Sequence, residues 1–129
     1  MVLLETERLI IQQFTLADAP FILELLNTTS WIKYIGDRKI RTLEDAEKYL
    51  LNGPIKNQET IALGLSLVKT KNENISIGMC GLIKRENLKD ADIGFAFLPQ
   101  YEGKGYAFES ASAIITEAKK ILDSTASLQ

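Results

Sequence analysis

The chain reads as an α/β protein, in the looser α+β sense, with the element order β-α-α-β-β-β-α. Three observations predict it. Two early segments keep helical spacing, and the run from Ile61 to Lys69 alternates with period two and leads into a hairpin. A strand, a glycine-interrupted turn and a helix start then follow one another from Asp92 to Ala107.

Arg8 to Phe14 is rich in β-formers and gives the first strand. Thr15 and Asp18 supply capping side chains for the helix that follows. Its stripe is Leu16, Ala19, Ile22, Leu23, Leu25 and Leu26, and Pro20 is tolerable only in the first turn. Asn27 to Arg41 mixes aromatic, basic and turn residues without a clean period, so it is a loop or a short helix. Thr42 with Asp45 makes a capping-box-like start and Gly53-Pro54 a stop, which predicts a second helix over Leu43 to Asn52.

Ile61, Leu63, Leu65 and Leu67 alternate with smaller residues in a strand that ends at Lys69. Lys71 to Asn74 is a polar turn, Ile75 to Ile83 the returning strand, and Lys84 to Ala91 a second polar connection. Asp92 to Leu98 is the fourth strand. Ile93, Phe95 and Phe97 share its bulky face, and Asp92, Gly94 and Ala96 the face that leaves room. Ala107, Ala111, Ile114, Ala118 and Ile121 then keep helical spacing to about Leu122.

With 129 residues and 46% hydrophobic content, the chain can bury one core, and a single domain over residues 1–129 is expected. The net charge of −2 arises from interspersed acids and bases, which leaves no basic footprint for nucleic acid. No window approaches the ~18 apolar residues of a membrane span, and the amino terminus lacks a basic region followed by an apolar one. A cytoplasmic location is expected, and the single cysteine, Cys80, fits a reducing compartment. Cys80 sits in an apolar strand and reads as a buried small hydrophobe rather than a nucleophile. Histidine is absent, which removes His-based triads, His-rich zinc sites and an imidazole base. No metal is expected, and proton transfer falls to a carboxylate, Tyr, Lys, Cys or water.

The most telling stretch runs from Asp92 to Ala107. Gly103 and Gly105 lack a Cβ, so backbone amides can approach an anion closely; Lys104 adds a positive charge, and the small Ala107 lets the helix start near the strand. The turn suits a phosphate, although a plain β-to-α connection has the same residues. Neither nucleotide fingerprint is met, because a third glycine at the dinucleotide spacing and a Gly-x-x-x-x-Gly-Lys-Ser/Thr run are both absent.

Leu4-Glu-Thr-Glu-Arg-Leu9, Thr42-Leu-Glu-Asp-Ala-Glu-Lys-Tyr-Leu50, Asp92-Ile-Gly-Phe95 and Pro99-Gln-Tyr-Glu-Gly-Lys-Gly-Tyr-Ala-Phe-Glu109 together resemble GNAT acetyltransferases, in the branch similar to ribosomal-protein N-terminal acetyltransferases. The resemblance covers nearly the whole chain. It implies the GNAT acyl-CoA N-acyltransferase fold with a mixed sheet, and acetyl-CoA as cosubstrate. The family motif Gln/Arg-x-x-Gly-x-Gly/Ala wraps the cofactor's pyrophosphate. Glu102, Gly105 and Ala107 fill its positions in the preferred register, with Gly103, Lys104 and Tyr106 between; Gln100, Gly103 and Gly105 fill them in a shifted one. Glu102 is a departure, an acid where the family usually has Gln, Arg or Trp. A second departure is that Asp123 to Gln129 shows no strand pattern where the family continues with a strand, a helix and a hairpin. The resemblance therefore implies a fold incomplete after the cofactor helix: either a fragment, or a chain whose sheet a partner, as in a homodimer, completes.

The resembled reaction is direct attack of an amine on an acetyl thioester, with strand N–H groups near Phe97 and Leu98 holding the cofactor. An α-amine of pKa ~7.7–8.0 needs about 1.4 kcal/mol of deprotonation at neutrality, whereas a lysine near ~10.4 needs about 4–5 kcal/mol. Without histidine, an α-amine or small-molecule amine is favoured over protein lysine. Asp92 is the candidate base, or else a strand cap or ion-pair former. Trp31, Tyr34, Arg38 and Arg41 fall where the family's acceptor loop lies, so they line the amine site or cover the core. Arg8, near Glu5 and Glu7, reads as a structural ion-pair former rather than a substrate ligand. Two rival readings stand beside the enzyme: an inactive CoA-binding or structural remnant, and a different nucleotide-binding protein that prefers ATP or NAD.

Overall fold

A computed structural model of the chain describes residues 1–58, 63–83 and 92–127. Five strands form one sheet in chain order: β1 (Val2–Glu5), β2 (Leu9–Gln12), β3 (Ser66–Thr70), β4 (Ser76–Ile83) and β5 (Asp92–Phe97). All four neighbouring pairs are antiparallel. The parallel contact among the described residues is the isolated bridge between Gly64 and Leu82. The helices are α1 (Ala19–Leu25), α2 (Thr29–Tyr34), α3 (Leu43–Asn52), α4 (Pro54–Asn57) and α5 (Tyr106–Ser127).

Strand alternation sends side chains to two faces, and each face is covered. Leu67, Met79 and Leu98 meet Ala19, Ile22 and Leu25 of α1, Trp31 of α2, and Ala46 and Leu50 of α3. On the other face Leu9, Ile11, Val68, Cys80, Leu82 and Phe97 meet Ile114 and Ala118 of α5. Each fully buried Leu or Ile contributes about 1.5–3 kcal/mol, so both layers are needed to hold the sheet. The register of β3 against β4 jumps from Val68 opposite Gly78 to Lys69 opposite Ser76. Ile77 is therefore the extra residue of a bulge, which explains how Ile77 and Met79, two apart, are buried on opposite faces.

The helix starts follow their local chemistry. Thr15 and Asp18 form a reciprocal capping box on a 3-10 turn that runs into α1, with Pro20 in the first turn of that helix. Thr42 and Asp45 form another at the start of α3, and Gly53 ends it. The expected loop or short helix between them contains α2, capped by Thr28.

Several bounds differ from expectation. The first strand is preceded by another, β1, which pairs with it as a hairpin. The strand expected from Ile61 begins at Ser66, because Gly64 turns aside to bridge Leu82; residues 61 and 62 lie outside the described residues. The polar connection expected from Lys84 to Ala91 also lies outside them. Helix α5 runs past Leu122 to Ser127, since nothing in Asp123 to Ser127 breaks a helix. No helix among the described residues is long and apolar enough to cross a membrane.

Candidate functional site

The site is built where β5 hands over to α5. After Phe97 the chain makes a 3-10 turn at Pro99–Tyr101, and Glu102 follows in extended conformation with its N–H donated to Pro99 O at 3.2 Å. Gly103 and Gly105 then adopt φ of +75° and +83°. Residues with a Cβ enter that left-handed region only at a cost, so two glycines here are a backbone requirement. The first helical bond of α5 runs from Glu109 N–H to Gly105 O at 3.0 Å. The amides of Tyr106, Ala107 and Phe108 thus have no partner one turn back and point out of the positive end of the helix. Where a Cβ of Gly103 would stand there is open space.

The amino-terminal hairpin grips this helix start. Its turn is closed by Thr6 N–H to Leu9 O at 2.9 Å and by Leu9 N–H to Thr6 Oγ1 at 3.0 Å. From that turn the Thr6 hydroxyl donates to Glu109 Oε2, the Arg8 N–H donates to the same oxygen at 3.0 Å, and Arg8 Nε donates to Glu109 Oε1 at 2.7 Å. Burial pushes the Glu109 carboxyl up, but the bonds from Thr6 and Arg8, with the nearby guanidinium charge, bring it below the usual carboxylate range. The Arg8 guanidinium also lies over the Tyr106 ring, 4.4 Å from its centroid. Arg8 is thus an ion-pair former as expected, but its partner is 101 residues away rather than Glu5 or Glu7. Glu5 faces Lys71 instead, at 3.8 Å.

Two hydrogen bonds fix which way the amides of β5 point. Leu98 N–H donates to Ile77 O at 2.9 Å, and Leu82 N–H donates to Leu63 O at 2.7 Å, away from β5. Successive residues of an antiparallel strand alternate sides, so Gly94 and Ala96 face β4 while Ile93, Phe95 and Phe97 turn their N–H and C=O groups to the open edge. Among the described residues that edge has no strand beside it. The expectation that both Phe97 and Leu98 offer amides is corrected here: the Leu98 N–H is engaged by Ile77, and the residue itself is buried in the core under α1 and α3.

A cavity of about 520 Å³ opens between α1 and α2, the end of β5 and the turn. Leu25, Thr28, Ser30, Trp31 and Ile35 form one wall, Phe95 to Phe97 another, and Glu102, Gly103 and Gly105 to Phe108 the mouth. Glu102 is the one ionisable carboxylate in this lining. Phe97, Glu102, Gly103, Gly105, Tyr106 and Ala107, expected at the cofactor, and Trp31, expected at the acceptor, all line this one cavity. Trp31 lines the cavity and is also buried in the core. Its indole Nε1 is buried without a hydrogen-bond partner. Lys104 lies beside this lining, with Nζ 5.9 Å from the Tyr101 ring centroid.

Other candidates sit elsewhere. Arg38 lines a separate groove of about 410 Å³ with Lys39, Lys48, Tyr49 and Asn52, so it does not share a wall with Trp31. Arg41 is tied to Asp37 at 2.6 Å and to Asn27 at 2.9 Å. The Tyr34 side chain lies outside the described residues. Asp92 is exposed at the far end of β5, on the face of Ala96, five residues or roughly 16 Å from Phe97. Cys80 is fully buried, and burial pushes its thiol up to about 11, so it is protonated at neutral pH. Ile35, Phe95 and Phe108 as lining residues, and the Thr6–Arg8–Glu109 clamp, have no local signal in the sequence beyond apolar residues near a glycine turn.

The architecture is a five-stranded antiparallel sheet with helices on both faces and a two-glycine turn that leads from its edge strand into α5. The sequence profile described as "Acetyltransferase (GNAT) domain" matches residues 8–126, and the chain belongs to that family. It is similar to the uncharacterized N-acetyltransferase YnaD of Bacillus subtilis (strain 168), with 31% identity over 110 residues that cover 85% of this chain and 61% of YnaD. The chain thus spans less than two thirds of the length of the curated relatives it matches. Among solved structures, a GNAT-family acetyltransferase from Bacillus anthracis superposes with a TM-score of 0.76 and 27% identity, over 95% of this chain and 69% of that one. RimL, described as a ribosomal alpha-N-protein acetyltransferase in complex with coenzyme A, shares the fold with a TM-score of 0.75 and 16% identity, over 91% of this chain and 67% of its own.

Proposed function

We propose that the chain binds acetyl-CoA at the turn from Glu102 to Ala107 and transfers the acetyl group to a primary amine, either a protein N-terminal α-amine or a small-molecule amine. The observation that carries this reading is a conjunction: an anion-directed turn with two left-handed glycines stands at one end of a strand whose outward amides lead away from it. The residues present fit the diphosphate, because the bare Gly103 and Gly105 leave the approach open and three helix amides lack partners. They fit an extended pantetheine arm through the free edge at Phe97 and Phe95 and the apolar wall of Trp31 and Ile35.

Bound there, acetyl-CoA supplies an activated thioester. The chain's own residues do the rest. The amides of Gly103 to Ala107 hold the diphosphate, and Lys104 contributes charge from beside them. The Phe97 N–H is the edge donor nearest the turn, and Leu25, Trp31, Ile35 and Phe95 exclude water from the wall opposite it. An arm laid along β5 from the turn runs toward Asp92, whose carboxylate then takes the proton from the acceptor ammonium. Arg38, in its own groove, contacts a part of the acceptor away from the amine. The RimL description makes a protein α-amine one candidate acceptor, and the low pKa of such an amine suits a site with no histidine. A cytoplasmic setting accords with one buried, unpaired Cys80.

One observation favours a second reading, that of a CoA-binding remnant without turnover: the acid Glu102 in the turn. Calorimetric titration with acetyl-CoA followed by a thiol-release assay on peptide α-amines and small amines separates the two. Binding with product supports the enzyme, binding without product supports the remnant, and preferential binding of ATP or NAD ends both.

A further inference from the structure

We infer that Arg8 is itself a ligand for the cofactor's diphosphate, supplying from the amino-terminal hairpin the positive charge that Glu102 withholds from the turn. The inference rests on the reading of the turn as an acetyl-CoA site.

The geometry is specific. Arg8 uses Nε on Glu109 Oε1, and no other hydrogen bond of its guanidinium is present among the described residues. Its four Nη protons therefore remain to be donated. They are not aimed at random: the planar group lies over the Tyr106 ring at 4.4 Å, and Nη2 stands 3.3 Å from where a Cβ of Gly105 would be. Gly105 is the residue whose bare face and left-handed φ open the turn. The guanidinium thus stands beside the bare face of Gly105, next to the first turn whose Tyr106, Ala107 and Phe108 amides have no partner one turn back.

Glu109 holds this orientation through three bonds, two from Arg8 and one from Thr6. It sits on the first turn of α5, so the cation and the helix amides move as one body. A carboxylate that fixes one edge of a guanidinium while the other edge meets a phosphate loses less side-chain entropy on binding than a free arginine does. Lys104 is less well placed for the task, since its ammonium lies toward the Tyr101 ring. An acid at position 102 is then tolerable, because the turn's compensating charge comes from a part of the chain 97 residues earlier than Gly105, a place where no local motif would include it.

The test uses the full chain and its Arg8→Ala, Arg8→Lys and Glu109→Gln variants, with folding checked by thermal unfolding and far-UV circular dichroism. Calorimetry measures binding of CoA, of inorganic diphosphate and of pantetheine, which lacks the diphosphate. Arg8→Ala is expected to weaken CoA and diphosphate by about tenfold to a hundredfold and to leave pantetheine unchanged. Arg8→Lys, which keeps the charge without the fork, falls between and serves if Arg8→Ala does not fold. Glu109→Gln loosens the hold on the guanidinium but leaves its charge, so it is expected to weaken CoA by less than Arg8→Ala does. Equal CoA affinity in Arg8→Ala and the parent overturns the inference. So does a loss shared by pantetheine, or a loss in Glu109→Gln as large as in Arg8→Ala, since either means that the clamp acts only by holding the fold. If the parent chain binds neither CoA nor diphosphate, the reading of the turn falls first and this inference with it.

Discussion

Replacing Gly103 and Gly105 by alanine, one at a time, probes the turn directly. An L-residue held in the left-handed region costs roughly 1–2 kcal/mol. At Gly103 (φ +75°) nothing lies within 4 Å of the new Cβ, so backbone conformation is the whole penalty. At Gly105 (φ +83°) the methyl group also meets Arg8 Nη2 at 3.3 Å and must shift the guanidinium by a few tenths of an ångström. Each variant has two ways to respond. If the turn keeps its shape, the penalty falls on stability, a drop of roughly 3–8 °C in Tm for a chain of this size. If it relaxes to negative φ, the amides swing away and CoA affinity drops by about tenfold for each 1.4 kcal/mol of lost binding. Thermal unfolding and CoA titration on the same samples capture both. Gly105→Ala should show the larger combined loss, because it alone disturbs Arg8. If both variants match the parent in Tm and in CoA affinity, the left-handed turn is not a functional requirement and the argument for a diphosphate cradle collapses.

Four further outcomes follow from particular contacts. Asp92→Asn should lower kcat by about 10²- to 10⁴-fold with little change in the KM for acetyl-CoA, and an unaltered pH–rate profile removes Asp92 from the mechanism. Glu109 has a folded-state carboxyl below its ordinary value of ~4.3, so its contribution is complete above that pH and is lost as pH falls through the depressed folded value. Urea unfolding between about pH 5 and about pH 2 should show the parent losing stability faster than Glu109→Gln; parallel curves refute the linkage. Cys80, buried with its thiol pushed up to about 11, should react with a disulfide reagent at neutral pH only as fast as the chain opens, and rapid native-state labelling contradicts that burial. Trp31→Phe removes a buried N–H that has no partner, so its stability cost should stay within about 1 kcal/mol, below the usual toll of shrinking a core aromatic, as read by chemical denaturation.

The sequence disclosed those features whose cause is local. Both capping boxes, Thr15 with Asp18 and Thr42 with Asp45, were legible because the cap and its reciprocal acid lie three residues apart. The strands β4 and β5 were legible from composition and alternation, and the two glycines of the turn from what a missing Cβ permits. Strand β1 was not legible: Val2–Glu5 is short, and the turn after it carries none of the usual Gly, Pro, Asn or Asp signals, being closed by the Thr6 side chain instead. The Ile77 bulge left no trace either, because an extra residue in a strand is defined by its partner's register. Trp31 and Arg38, seven residues apart, suggested one acceptor wall, yet the end of α2 and the following turn carry them to different hollows.

The errors at the site have the same origin. Naming Phe97 and Leu98 together as amide donors could not have been right for both, because neighbouring amides of a strand point to opposite sides and one of the two had to face β4. Only the pairing to Ile77 says which. Arg8 was read against Glu5 and Glu7 because those are the acids near it in the chain, whereas the hairpin turn delivers it to Glu109 on α5. A local reading therefore weighs the turn's charge from Glu102 and Lys104 alone, and there the acid is a departure from the motif. Folding changes that balance by bringing a guanidinium to Gly105, so the electrostatic character of this site belongs to the tertiary structure rather than to the motif that marks it in the sequence.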